Sequence, residues 1–209
     1  MKTILFDLDG TLIDSTEAIL ESFDYSFKEL GLDLYDAKKI KSLIGYPLDI
    51  MYEKLGVEDR LIDEIIKAYK SNYRLISREK TTLLPNAKEA LELAANEARL
   101  GIVTTKTARY SKELLEHMGV MEYFEVLIGR EDVEFPKPHA QPVLKALEFM
   151  GAQKDGACLI GDTVLDLKSA KNADIKPVAV TCGYGEKEEL EKYTKSVYND
   201  AYEAVKNIV

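Results

Sequence analysis

Two aspartates separated by one residue, Asp7 and Asp9, follow the apolar run 3–6 and lead into Gly10 and Thr11. In an extended chain, residues i and i+2 point the same way, so a strand over 3–6 sets both carboxyl groups in one pocket. Gly10 allows the sharp turn that exposes them. Two adjacent carboxylates repel, and the pair requires a cation or a shared proton. A second acidic cluster, Asp162 and Asp166, follows the apolar run 157–160. A helix starting there sets both acids on one face, because they are four residues apart. Acids gathered from two strand ends make a site for a hard divalent cation. Mg²⁺ takes oxygen ligands and is held by one or two carboxylates plus substrate phosphate.

Two further residues fit that chemistry. Thr104 closes the run 101–103 and offers a hydroxyl at the same sheet edge. Lys137 stands in Phe135-Pro136-Lys137-Pro138, where two prolines stiffen the backbone around one ammonium. Its sign is right for steadying a phosphate among four carboxylates.

The elements that must position these groups are legible as alternating segments. Apolar runs at 3–6, 101–104, 125–128, 157–160 and 177–181 lack a polar face, as strands of a parallel sheet covered on both sides do. Helical periods cover 86–99, 111–118 and 141–150, the last two stopped by Gly119 and Gly151. The alternation predicts an α/β fold, a Rossmann-like doubly wound parallel sheet. From 15 to 80 only helical periods occur, over 15–30, 36–44, 48–55 and 59–78. Residues 15–81 therefore read as an α-helical cap inserted into a core made of 1–14 and 82–209. The charge run 186–192 reads as a solvated helix face, and His117, Cys158 and Cys182 read as structural.

Composition bounds the function. The chain has 209 residues, 46% hydrophobic and 31% charged, enough for a sizeable core. Its net charge of −9 opposes nucleic acid and anionic membranes. No apolar run approaches the ~20 residues of a membrane span. An early Asp7 argues against a signal peptide, and two cysteines in separate segments suit a reducing cytoplasm.

The order Asp7/Asp9, Thr104, Lys137, Asp162/Asp166 resembles the four motifs of the haloacid dehalogenase superfamily, and the string 6–15, FDLDGTLIDS, is a specific match. The helical insertion is similar to that family's cap. Segments 102–106 and 44–48 are most similar to phosphoglycolate phosphatases and related bacterial pyrophosphatases. Thr105 stands where many relatives have Asn, and Ala140 replaces a frequent second proline beside His139.

The resemblance implies a phosphatase for small phosphorylated metabolites, acting as a monomer or homodimer. Asp7 would be the nucleophile that forms an aspartyl-phosphate, and Asp9 the acid and then the base. In the dehalogenases of this superfamily the position of Asp9 is not an acid, whereas an alkoxide leaving a phosphate ester needs a proton. Mg²⁺ would be held by Asp7, the Asp9 carbonyl and Asp162, with Asp166 behind them. Thr104 and Lys137 would bind phosphoryl oxygens, helped by backbone N–H groups near Gly10, Thr11 and Thr105. Tyr46 would touch substrate from the cap, with Lys54 and Arg74 as further candidates. A receiver domain has a different residue order and lacks the large insertion. A pyrophosphatase, a sugar phosphomutase and a silent phosphate-binding relative are the other readings.

Overall fold

A computed structural model describes residues 2–209. Strand β1 (Lys2–Phe6) is followed by the short β2 (Ile13–Asp14) and by helices α1 (Thr16–Glu29), α2 (Ala37–Lys41), α3 (Leu48–Lys54) and α4 (Ile62–Ile76). After β3 (Thr82–Leu83) the chain alternates through α5 (Ala87–Glu97), β4 (Ala98–Val103), α6 (Ala108–His117), β5 (Val126–Ile128), α7 (Gln141–Met150), β6 (Ala157–Gly161), α8 (Val164–Asn172) and β7 (Lys176–Val180). It closes with α9 (Lys187–Leu190), β8 (Val197–Tyr198) and α10 (Ala201–Lys206).

Six strands form a parallel sheet in the order β5-β4-β1-β6-β7-β8, with β1 near the centre. Successive β1 side chains enter opposite layers. Ile4 and Phe6 pack with Ala90 and Leu91 of α5, whereas Leu5 packs with Val143 and Ala146 of α7. This two-sided burial explains the unbroken apolar character of the strands. Phe6 pairs with Ile102 and Ile160, so Asp7 emerges between the ends of β4 and β6.

The helical insertion leaves and re-enters through the antiparallel β2–β3 ribbon, with Ile13 opposite Leu83. Its own core is aromatic. Phe23 of α1 lies 4.8 Å from the Tyr52 ring and 5.1 Å from the Tyr69 ring, centroid to centroid. Ile65, Tyr69 and Tyr73 recur at helical spacing on the buried side of α4.

The expected sheet and helical insertion are present, with local differences. The helix expected over 86–99 stops at Glu97, because Ala98 and Arg99 pair with Lys2 and Thr3 of β1. The helix expected from 111 begins earlier, at Ala108, where the Glu131 carboxylate accepts from the Ala108 N–H at 2.9 Å. Ser15 is the N-cap of α1, but its side chain does not cap. Asp14 Oδ1 instead accepts from the Thr16 N–H at 2.9 Å.

Candidate active site

Asp7 follows the last residue of β1, and its N–H donates to the Ile160 carbonyl at 2.9 Å. Asp162 follows β6, and Asp166 lies in the first turn of α8. Carboxylate oxygens of Asp7, Asp162 and Asp166 all lie within 4.8 Å of one another, and all three residues are buried. Lys137 reaches in from the loop before α7. Its Nζ stands 2.8 Å from Asp7 Oδ1 and 2.5 Å from Asp166 Oδ1, and donates to the Val103 carbonyl at 3.1 Å.

These charges are far from their comfortable state. Burial pushes the Asp7 carboxyl up to about 7, and Asp166 adds to the rise while Lys137 opposes it. Burial also holds Asp162 well above the carboxylate range, reinforced by Asp166 and Asp7. For Lys137 burial works against the charge, but Asp166 and Asp7 outweigh it and hold the ammonium. When all are ionised, three carboxylates face one ammonium, leaving two negative charges uncompensated. That is the charge of a divalent cation. Asp7 Oδ1 is moreover buried without hydrogen-bond geometry to any described residue, although the Lys137 ammonium is near. The donor set therefore fits a hard divalent ion.

The acids differ in what already holds them. Asp166 Oδ2 accepts from the Thr163 N–H at 3.0 Å and from Thr163 Oγ1 at 2.6 Å, while Oδ1 takes Lys137. Both of its oxygens are engaged, so it anchors Lys137 and the start of α8. Asp162 accepts from Thr11 Oγ1 at 2.9 Å and from the Tyr184 N–H at 2.8 Å. Gly10 makes this approach possible. Its φ is +81°, and a Cβ there would stand 2.8 Å from Asp162 Cγ. A Cβ at Gly183 would likewise strike the Asp162 carboxylate.

Asp9 faces the helical insertion. Ser15 Oγ donates to its Oδ1, and Lys106 Nζ lies 2.9 Å from Oδ2. The same ammonium sits over the Tyr73 ring of α4, 4.6 Å from its centroid. Burial disfavours the Lys106 charge, yet the Asp9 carboxylate overrides this and raises its pKa. Asp9 also lines a cavity of about 360 Å³ between α3, α4 and the sheet edge.

Thr104 is buried at the edge, and its Oγ1 accepts from the Lys106 N–H at 3.2 Å. The Thr105 hydroxyl points away, donating to the Gly45 carbonyl of the insertion at 2.9 Å. Tyr46 lines the cavity. Lys54 and Arg74 do not; they lie over the rings of Tyr46 and Tyr110, on the exposed side. His139 is exposed, its Nδ1 accepting from the Gln141 N–H.

Ser15, Lys106 and Tyr184 carry no mark in the sequence that assigns them to the site. Ser15 has the look of a helix cap, and Lys106 that of a solvated cation. The one local sign for Tyr184 is its place in Gly183-Tyr184-Gly185, in the loop after β7.

A family model described as haloacid dehalogenase-like hydrolase matches residues 4–180. The chain belongs to the haloacid dehalogenase-like hydrolases. It is 32% identical to a phosphoglycolate phosphatase of Aquifex aeolicus over 88% of this chain and 86% of that one. It is 31% identical to the pyrophosphatase PpaX of Oceanobacillus iheyensis over 100% of this chain and 95% of that one. A solved haloacid dehalogenase-like hydrolase from Streptococcus pneumoniae superposes with a TM-score of 0.90 at 30% identity, covering 100% of this chain and 99% of that one. The acids and Lys137 thus lie within the stretch that the family of haloacid dehalogenase-like hydrolases shares.

Proposed function

We propose that this hydrolase is a Mg²⁺-dependent phosphatase for small phosphate monoesters, phosphoglycolate among them, and that it works through an aspartyl-phosphate on Asp7. The observation that carries this reading is the buried group of Asp7, Asp162 and Asp166 with Lys137 against two of them. Asp7, the Asp9 carbonyl and Asp162 would hold the metal, with Asp166 supporting them. When bound, Mg²⁺ offsets carboxylate repulsion and draws charge from the phosphoryl oxygens.

The chain's own groups supply the rest. A carboxylate oxygen of Asp7 bonds to phosphorus while the ester P–O bond breaks, and Asp9 gives its proton to the departing alkoxide. Asp9 then takes a proton from water, whose oxygen attacks phosphorus and frees Asp7 and phosphate. Lys137 and Thr104 receive phosphoryl oxygens, assisted by N–H groups near Gly10, Thr11 and Thr105. Residues 15–81 act as a cap over the core of 1–14 and 82–209, with Tyr46 contacting substrate. This reading places the enzyme in the cytoplasm, as a monomer or homodimer without nucleic-acid or membrane partners. Among the described residues no helix is long and apolar enough to cross a membrane, and both cysteines are free.

Pyrophosphate is a second reading, supported by the likeness to the PpaX protein. Asp7→Asn tests the nucleophile: phosphate release should vanish while the circular dichroism spectrum is kept. Unchanged turnover in that variant would overturn the assignment.

A further inference from the structure

The cavity beside Asp9 has both size and wall chemistry, and these describe its occupant. We infer that it accepts a neutral alcohol carrying a planar ring, making ring-bearing phosphate monoesters the preferred substrates. The inference rests on the phosphatase reading above and deepens it.

Size is the first ground. The cavity measures about 360 Å³, within the range of sites for ring-containing ligands, roughly 300–1,000 Å³. Glycolate fills on the order of 100 Å³, judged against the ~30 Å³ share of a water molecule. It would leave most of the apolar wall in contact with water.

Charge is the second. Three cations reach the cavity, Lys70, Lys106 and Arg130, against the carboxylates Asp9, Asp49 and Asp63. Lys106 is committed to Asp9, and Arg130 stands 3.9 Å from Asp49. A departing carboxylate or phosphate would enter a region with no net positive charge. A neutral leaving group meets no such penalty.

The walls are the third. The Tyr69 and Tyr73 rings stack on each other 5.7 Å apart at 12°, and Ile62 and Ile66 precede them on the same helix. Ile44 and Leu48 line the cavity from the other side of the insertion's sequence. The half-buried Tyr46 ring lines the same cavity, and flat and branched apolar surfaces of this kind suit a planar ring. Tyr73 is 2% exposed and its hydroxyl is buried, so this wall offers the occupant apolar contact and no hydrogen bond.

The test compares kcat/KM of the Mg²⁺-loaded enzyme for benzyl phosphate, uridine 5′-monophosphate, ethyl phosphate, phosphoglycolate and pyrophosphate. Benzyl and ethyl alcohols are of similar acidity, so their ratio reports the pocket and not the bond broken. The ring-bearing esters should exceed ethyl phosphate and phosphoglycolate by about tenfold or more, the scale of discrimination that apolar contacts provide. Ile66→Trp, which fills the cavity, should collapse the benzyl-to-ethyl ratio to about threefold or less; being internal to each preparation, that ratio is unaffected by partial loss of folded protein. Preference for phosphoglycolate or pyrophosphate, or a ratio unmoved by Ile66→Trp, overturns the inference while leaving the phosphatase reading intact. Hydrolysis of none of these esters overturns both.

Discussion

Lys106 Nζ lies 2.9 Å from Asp9 Oδ2 and above the Tyr73 ring of α4. One ammonium thus joins the proposed acid of the core to a helix of the insertion, and Ser15 fixes the other Asp9 oxygen. Replacing Lys106 by Met keeps the stem and removes the charge. Its loss should lower kcat by about tenfold or more, since a misplaced proton donor forfeits part of the 10²–10⁴-fold that positioned acids contribute. An aryl phosphate with an acidic leaving group needs less protonation and should be less affected. Equal losses for both kinds of ester would contradict the positioning role.

Thr105 ties the core loop to the insertion through Gly45. Thr105→Val removes a hydrogen bond worth about 1 kcal/mol and strands the Gly45 carbonyl. The hold of the core loop on the insertion should weaken, raising KM about fivefold with a smaller change in kcat. Steady-state kinetics on any accepted ester separates the two parameters.

Gly10→Ala should damage the metal site. The residue would need a positive φ of 81° and would press on Asp162, costing roughly 1–2 kcal/mol in backbone strain alone. For a chain of this size that corresponds to a fall in Tm of about 2–8 °C, taking ~2–4 °C per kcal/mol. Mg²⁺ affinity measured by titration calorimetry should fall as well.

The pH dependence of stability follows from the direction of the Asp7 and Asp162 shifts. Both carboxyls are raised in the folded chain, Asp7 from 3.8 to about 7. A raised carboxyl holds its proton more tightly folded than unfolded, so stability without metal falls as pH rises from about 4 through 7. A divalent cation relieves the same repulsion, so its stabilising effect should grow over that window. Differential scanning calorimetry with EDTA and with Mg²⁺ should show a larger Tm gap at pH 7.5 than at pH 5. An equal gap at both would count against carboxylates as the metal's ligands.

Much of this arrangement is legible in the residues themselves. The five longer strands are readable because both faces are buried, giving unbroken apolar runs such as Ala157–Gly161. β8, at Val197–Tyr198, pairs over two half-buried residues and leaves no such trace. The β2–β3 ribbon is equally short, and its pairing spans the whole insertion. The acidic cluster is visible because strand ends of a parallel sheet share one edge. Lys106 is different. Its proximity to both Asp9 and Tyr73 depends on how α4 sits over the core, which spacing along the chain does not encode. Thr105 shows the same limit: adjacent to Thr104, it turns its hydroxyl to the insertion and not to the carboxylate cluster.

Covalent capture on Asp7 tests the central claim most directly. Enzyme mixed with Mg²⁺ and an accepted ester, quenched in acid within one turnover and digested, should yield a phosphoryl adduct on the peptide containing Asp7, and none from Asp7→Asn. Rapid phosphate release with no adduct at any quench time, or an adduct on another residue, would contradict it.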